Sequence, residues 1–287
     1  MQERLEEAKK WAARQPYRLW WTQLRAVVRL EAKRNVFAWR SLWIYFLGFI
    51  PVAIIGLHAI VDPAKASGMG EDTVVLAGIF QLYYVRLGIF FGCLGIFSRL
   101  IRGEMVERSL HYYLLSPVRR EILLLGKFIA GCITALIIFE SAVFLSFTLT
   151  YAHYGAAGQA FVMDGPGLGQ LEAYLGITAL ACLGYGSIFM LLSMLFKNPT
   201  PAAMIFMGWE FINPILPSLL QKISIASYLR HLMPVSVPIQ GVLALLTVVT
   251  EPVRPWAATM GVLVLTAVVV GISCYRMRKL EIRYTTE

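Results

Sequence analysis

The sequence predicts an all-α polytopic membrane protein with six transmembrane helices. Hydrophobic residues make up 58% of its 287 residues and charged residues only 15%, which is far from the composition of a soluble domain. Several uncharged runs reach the roughly 20 residues that a helix needs to cross the hydrocarbon core of a bilayer. The basic residues cluster between particular runs, and this pattern predicts how the helices are oriented.

Apolar runs define the predicted spans. They cover residues 41–61, 73–101, 128–151, 172–196, 201–220 and 256–275. A further run, 235–250, holds 16 residues and contains Pro238, so it is short for a crossing. The outer segment 153–170 holds five glycines and one proline, which predicts an irregular loop.

The distribution of Lys and Arg predicts the topology. With six spans, 21 of the 26 basic residues fall on one side, and the positive-inside rule makes that side the cytoplasm. Both termini are then cytoplasmic, including a tail at 276–287. A seventh crossing would export that tail, so the segment 226–250 is expected to re-enter the membrane or lie along its outer surface. The chain thus divides into an N-terminal region, 1–40, a transmembrane domain, 41–275, and the tail.

The N-terminal region predicts two helices that are broken at Pro16. In the second helix the residues Trp20, Leu24, Val27 and Val28 form an apolar stripe, and basic residues lie opposite: Arg18, Arg25 and Arg29. Tryptophan beside basic residues is typical of an amphipathic helix in the inner headgroup layer. The alternative is an ordinary solvated helix.

A charged block separates the second and third spans. From residue 99 to 116 its spacing is helical, with an i,i+4 pair between Glu104 and Arg108 and apolar residues every four positions. Ser116-Pro117 breaks this helix, and Ser116 is suited to cap the helix that follows. The segment 102–120 therefore predicts a helix-break-helix elbow that projects from the cytoplasmic face.

This block resembles the signature of the ABC type-2 exporter permeases, the membrane subunits that pair with separate ATP-binding-cassette ATPases. The matching residues are Glu104 and Glu107, Ser109-Leu110, Leu114-Leu115-Ser116-Pro117, Arg119-Arg120 and Gly126-Lys127. The family often has glycine-threonine where this chain has Arg108-Ser109. Residues 226–241 also resemble the family's re-entrant helices between spans five and six, with Tyr228, Pro234 and Gly241 as landmarks.

The resemblance implies a function, a set of contacts and a location. The block would be a coupling helix that docks on an ABC ATPase, through Glu104, Glu107, Arg108, Leu110, Leu114, Leu115, Ser116, Pro117, Arg119 and Arg120. The chain would be a non-catalytic exporter subunit that binds no cofactor, with ATP and magnesium in the partner. It would pair with a second copy or a paralogue, contact membrane lipid but no nucleic acid, and reside in the cytoplasmic (inner) membrane of a bacterium.

Ionisable side chains stand in the middle of three predicted spans: Arg86, Glu140 and Glu210. Such groups usually face partners or a polar cavity, because they are costly in the hydrocarbon core. One interpretation is an Arg86–Glu140 ion pair between the second and third spans. Another is that Glu210, without an obvious partner, lines a transport path or changes protonation during transport.

Other classes of function stay open. An ion-gradient-driven secondary transporter could use Glu140 and Glu210 as proton sites, although no inverted repeat is evident. An intramembrane enzyme is disfavoured by the absence of HExxH and GxSxG motifs, and GxxxxGK[ST] is also absent, so ATP hydrolysis would require a partner. A structural or assembly protein is a further alternative. Among substrates, lipids, drugs, glycans and peptides all fit the sequence.

Overall fold

The structure is a computed structural model that describes residues 16–36, 39–61, 68–106, 115, 118–213, 216, 221, 224–235 and 254–279. Every regular element within these ranges is helical, and none of them is a strand, which confirms the all-α prediction. Most of the predicted coupling block lies outside the described residues, namely Glu107, Arg108, Leu110, Leu114, Ser116 and Pro117.

The helices of the described residues are numbered in chain order. They are α1 (Tyr17–Val36), α2 (Leu42–Val61), α3 (Met69–Val106), α4 (Arg120–Ala152), α5 (Ala156–Met163), α6 (Gly167–Leu195), α7 (Pro199–Ile212), α8 (Ile225–Arg230) and α9 (Pro255–Arg278). Five of these, α2, α3, α4, α6 and α9, are long and apolar enough to cross a membrane. The chain is therefore an integral membrane protein by the length and composition of its helices.

Helix α3 is longer than the span predicted at 73–101. It runs for 38 residues and contains two stretches of wider, π-helical turns, Phe80–Gly88 and Arg99–Gly103. Its first turn carries Glu71 and Asp72, whose negative charges suit the positive end of the helix dipole. The helix thus extends past the apolar run at both ends.

Residues 201–213 and 216 of the fifth predicted span, 201–220, are among the described residues. The helix of this span, α7, ends at Ile212 and holds 14 residues, which corresponds to about 21 Å against the roughly 30 Å of a hydrocarbon core. Pro214 follows closely and has no N–H to donate to the carbonyl of Glu210, so the α-helical hydrogen-bond ladder cannot run through it.

The expectation of an irregular loop at 153–170 is wrong in its centre. Gly155 adopts a positive φ of 59° and turns the chain, and α5 follows at once. The ring of Phe161 stacks on that of Tyr151 with centroids 4.8 Å apart, so α5 folds back against the end of α4. Side-chain packing therefore outweighs the low helix propensity of the glycines in this segment.

Aromatic contacts show the directions of the long helices. The Phe80 and Tyr174 rings lie 4.5 Å apart, and the Phe90 and Phe189 rings 4.9 Å apart, so α3 and α6 run in the same direction. The hydroxyl groups of Tyr151, at the end of α4, and Thr73, at the start of α3, form a hydrogen bond of 3.1 Å. Helix α4 therefore runs antiparallel to α3.

The bundle therefore has two distinct ends. One, which we name the Lys127 end, holds the end of α3 and the start of α4. The end of α9 is there too, since Arg278 pairs with Glu121 and Arg120 donates to the carbonyl of Arg278 at 3.2 Å. The opposite end, which we name the Asp72 end, holds the end of α2, the start of α3 and the end of α4.

Candidate functional site

Helix α1 packs along the first half of α4 through its apolar stripe. Trp20, Leu24 and Val28 are half-buried and Val27 is buried, whereas Arg18, Arg25 and Arg29 are exposed, as the spacing predicted. The contact is close because Gly126 faces Val27: a Cβ added to Gly126 would lie 2.6 Å from Val27 Cγ1. The N-terminal helix is thus docked on the bundle.

The same stripe ends in a buried charge. Glu31 lies four residues after Val27, so it points into the contact with α4, where Lys127 Nζ donates to Glu31 Oε1 at 2.5 Å. Lys127 Nζ also lies 2.7 Å from Glu104 Oε1, and Arg34 donates to that oxygen at 3.0 Å. We call these four residues, Glu31, Arg34, Glu104 and Lys127, the basal ion cluster.

Burial makes the basal ion cluster energetically important. The side chains of Glu31, Glu104 and Lys127 are 0% exposed, while that of Arg34 is 46% exposed. A charge removed from water costs several kcal/mol unless opposite charges and hydrogen bonds compensate it. Two carboxylates and two cations meet here, so the four charges balance.

The basal ion cluster also closes the base of the charged block. Glu104 stands near the end of α3 and Lys127 in the second turn of α4, and the two side chains are in direct contact. The chain between them therefore leaves and rejoins the bundle at one point. Glu31 fastens α1 to this same point, so three segments that are distant in sequence meet there.

The predicted coupling residues take several different positions. Glu104 is buried in the basal ion cluster rather than on an outer surface, and Leu115 is 80% exposed. The Arg119 guanidinium lies 4.1 Å from the ring centroid of Trp20 in α1. Arg120 contacts the end of α9. Glu104, Arg119 and Arg120 thus contact other helices of the same chain.

Sequence reasoning missed the two members of the basal ion cluster that come from α1. Glu31 could have been found from the sequence, because it continues the spacing of the apolar residues Leu24, Val27 and Val28 along one face of the helix. Arg34 follows Glu31 by three residues, and its guanidinium lies 3.8 Å from Glu31 Oε2. A carboxylate on an apolar stripe predicts a buried cation partner.

The proposed ion pair between Arg86 and Glu140 is absent from the structure, which describes both residues. Arg86 instead places its guanidinium 5.3 Å from the ring centroid of Phe211 in α7. Glu140 makes no hydrogen bond or ion pair with any described residue. It lies on the face of α4 that carries the exposed side chains of Ile137 and Phe144.

Glu210 has hydrogen-bond partners, contrary to the expectation from sequence. Its Oε2 accepts from Ser224 Oγ at 2.6 Å and from the Ala226 N–H at 3.0 Å, and its Oε1 accepts from the Ile225 N–H at 3.1 Å. Ser224 is the N-cap of α8, and its Oγ accepts a hydrogen bond from the Ser227 N–H at 3.1 Å. A buried carboxylate of α7 thus satisfies the first backbone donors of α8.

Helix α8 lies in the segment that was predicted to re-enter the membrane. Its residues Ile225 and Leu229 are fully buried against α6 and α9, and Tyr228 packs so closely on α9 that a Cβ at Gly261 would lie 2.7 Å from its ring. The remainder of that segment, 236–250, is outside the described residues.

Within the described ranges no group of three or more His, Cys, Asp or Glu side chains is arranged to hold a metal ion. The chain matches no family model and no curated protein.

Proposed function

We propose that this chain is the permease subunit of an ATP-driven ABC transporter, an exporter, and that a separate ATPase drives it through the segment 102–120. The observation that carries the proposal is the basal ion cluster, which closes the base of that segment. It adds to the resemblance of the charged block to the coupling helix of type-2 exporter permeases.

The basal ion cluster gives the segment a mechanical role. Lys127 Nζ and Glu104 Oε1 lie 2.7 Å apart in a buried contact, so the end of α3 and the start of α4, which flank the segment, would move together. A force on the segment would therefore displace the end of α3, the start of α4 and α1 together, which is how a rigid-body switch transmits motion. The exposed Leu115 belongs to the surface that the ATPase would contact.

The directions of the helices support six passes. Helix α6 runs parallel to α3 and so ends at the Lys127 end, and α9 also ends there. The chain must therefore cross from the Lys127 end to the Asp72 end between α6 and α9. Helix α7, with the residues that follow it, would make that sixth pass, although α7 alone is too short.

Glu140 supports assembly of two permease subunits. An ionisable group at mid-span usually faces protein or water rather than lipid, yet Glu140 lies on an outward face of α4 and has no bonded partner among the described residues. A second copy or a paralogue over this face would take Glu140 out of lipid. The same transporter would then have two coupling segments over two ATPases.

Glu210 would connect α8, in the predicted re-entrant region, to α7. By capping α8 it ties the re-entrant region to the helix that makes the sixth pass, so the two elements would move together. Arg86 of α3 contacts Phe211 of α7, so α7 is also in contact with α3. The end of α3 carries Glu104 of the basal ion cluster. Motion at the coupling segment would thereby reach the opposite end of the bundle.

Purification of the tagged chain from its native membrane tests the partner. We expect an ATP-binding-cassette ATPase to co-purify and, in liposomes, to hydrolyse ATP at a rate that depends on this chain. The Leu115→Ala variant should lower the bound ATPase and the dependent rate, whereas Leu168→Ala, which also removes an exposed leucine but lies in α6, should not.

Two outcomes would contradict the proposal. One is that no such ATPase accompanies the wild-type chain. The other is that the chain alone, in liposomes without any ATPase, moves solute when a proton gradient is imposed; this would favour a secondary transporter, and Glu140→Gln should then abolish the movement.

A further inference from the structure

A cavity of about 310 Å³ lies at the Asp72 end, between the end of α2, the start of α3 and the end of α4. Four ionisable side chains gather along part of its wall: His58, Glu71, Asp72 and His153. The remaining wall is mostly apolar and includes Ile54, Ile55, Ala59, Val75, Leu76 and Ile79. The cavity thus combines one polar region with a hydrocarbon-like surface.

Asp72 is the centre of the polar region. It is buried, and its Oδ2 accepts a hydrogen bond from the Tyr154 hydroxyl at 2.7 Å. His153 Nε2 lies 3.4 Å from the same oxygen, and His58 Nε2 lies 3.7 Å from Oδ1. Glu71 adds a second carboxylate to the wall. The region therefore has an excess of negative charge when both imidazoles are neutral.

His153 has a buried ring nitrogen, Nε2, without a hydrogen-bond partner. Its Nδ1 lies 3.4 Å from the carbonyl oxygen of Leu149, which can only accept, so this contact requires the proton on Nδ1. The His153 side chain is 10% exposed, and its Nε2 has no hydrogen-bond partner. His153 Nε2 and Asp72 Oδ2 thus lie 3.4 Å apart, and a donor placed between them would satisfy both the carboxylate and the Nε2 of a neutral ring.

We infer that this cavity binds the primary ammonium head of an amphiphile, with an ethanolamine-headed phospholipid as the occupant. A primary ammonium offers three N–H donors and a positive charge, which match the acceptors Asp72 and His153 and the neighbouring Glu71. A quaternary ammonium has no N–H and cannot satisfy them. This site is independent of the proposed coupling to an ATPase, because it lies at the opposite end of the bundle.

The apolar wall is placed to receive an acyl chain. Ile54 and Val75 are each 58% exposed, so the cavity opens on the outer surface of the bundle between α2 and α3, where lipid tails surround a membrane protein. Ile55 and Leu76 are buried and form the inner wall. A soluble amine would leave this surface unfilled, whereas a phospholipid would fill both regions at once.

Native mass spectrometry of the purified full chain tests the site with three phospholipids of identical acyl chains. We expect phosphatidylethanolamine to bind more tightly than phosphatidylcholine or phosphatidylglycerol. The Asp72→Asn variant should weaken phosphatidylethanolamine binding by about tenfold, the effect of losing one charge-assisted hydrogen bond, and leave the other two lipids unchanged. Asp164→Asn, which removes an exposed carboxylate at the same end, is the matched control.

Further variants and probes keep the test decisive. If Asp72→Asn fails to give a folded protein, Glu71→Gln removes an exposed carboxylate of the same wall and should weaken phosphatidylethanolamine binding several-fold. Equal binding of phosphatidylethanolamine and phosphatidylcholine by the wild-type chain would overturn the inference. Displacement of the lipid by free ethanolamine at an equal concentration would also overturn it, because the apolar wall would then contribute nothing.

Discussion

Removing the charge of Lys127 should destabilise the protein more than removing any other single charge of the basal ion cluster. Lys127→Met keeps the length of the side chain but removes the one cation of the cluster whose Nζ lies within 3 Å of both fully buried carboxylates, those of Glu31 and Glu104. Breaking a buried ion pair in this way costs about 3–5 kcal/mol, because a carboxylate stays buried without compensation.

The structure predicts an asymmetry between the members of the cluster. Glu31→Gln removes one carboxylate, and the surplus positive charge falls partly on Arg34, which is 46% exposed and can be hydrated. Its cost should therefore be smaller, about 1–3 kcal/mol, the cost of an imperfectly satisfied buried group. The double variant Lys127→Met/Glu31→Gln restores the balance of charge, so it should be more stable than Lys127→Met alone.

Unfolding in detergent, followed by tryptophan fluorescence as denaturant is added, measures these differences. Lys197→Met is the control, since Lys197 is exposed and the same change there should alter the free energy of unfolding by less than about 0.5 kcal/mol. The reasoning is refuted if Lys127→Met lies within about 1 kcal/mol of the wild type, or if the double variant is less stable than Lys127→Met.

Two further predictions concern the interior of the bundle. Glu210→Gln replaces an acceptor by an N–H₂ that faces other donors, so the amides of Ile225 and Ala226 should exchange with deuterium about tenfold faster or more. Equal exchange in the variant and the wild type would exclude the capping role. Gly92→Ala would place a Cβ 2.3 Å from Phe139 Cζ, and this overpacking should cost about 1–3 kcal/mol in the free energy of unfolding. Gly176→Ala, in α6 with nothing within 4 Å of its Cβ, should be neutral or slightly stabilising, and equal effects of the two substitutions would contradict the packing.

Hydropathy and helical spacing were sufficient for much of the fold. The long apolar runs identify α2, α3, α4, α6 and α9, because a helix of about 20 mostly apolar residues has few other stable environments. The spacing of Trp20 and Val27 likewise identified the apolar face of α1, although the sequence placed that face in the headgroup layer and the structure packs it on α4. These features depend on local composition and periodicity, which the sequence displays directly.

Long-range pairings could not be read in the same way. Arg86 and Glu140 are the mid-span charges nearest in sequence, yet Arg86 contacts the ring of Phe211. Glu210 caps helix α8, which begins 15 residues further along the chain. Which partner a buried charge finds depends on how the helices are rotated about their axes. The pairing of Glu31 with Lys127 joins residues 96 positions apart, and only packing decides it.

The basal ion cluster also links the order of synthesis to the final topology. Glu31 is made long before Glu104 and Lys127, and its buried position exists only when α1, the end of α3 and the start of α4 are on the same side of the membrane. A chain in which one of α2 and α3 failed to cross the membrane would place α1 and the end of α3 on opposite sides, and these charges would lose their mutual compensation. The basal ion cluster thereby stabilises the correctly inserted chain, and it can form only after Lys127 has been synthesised.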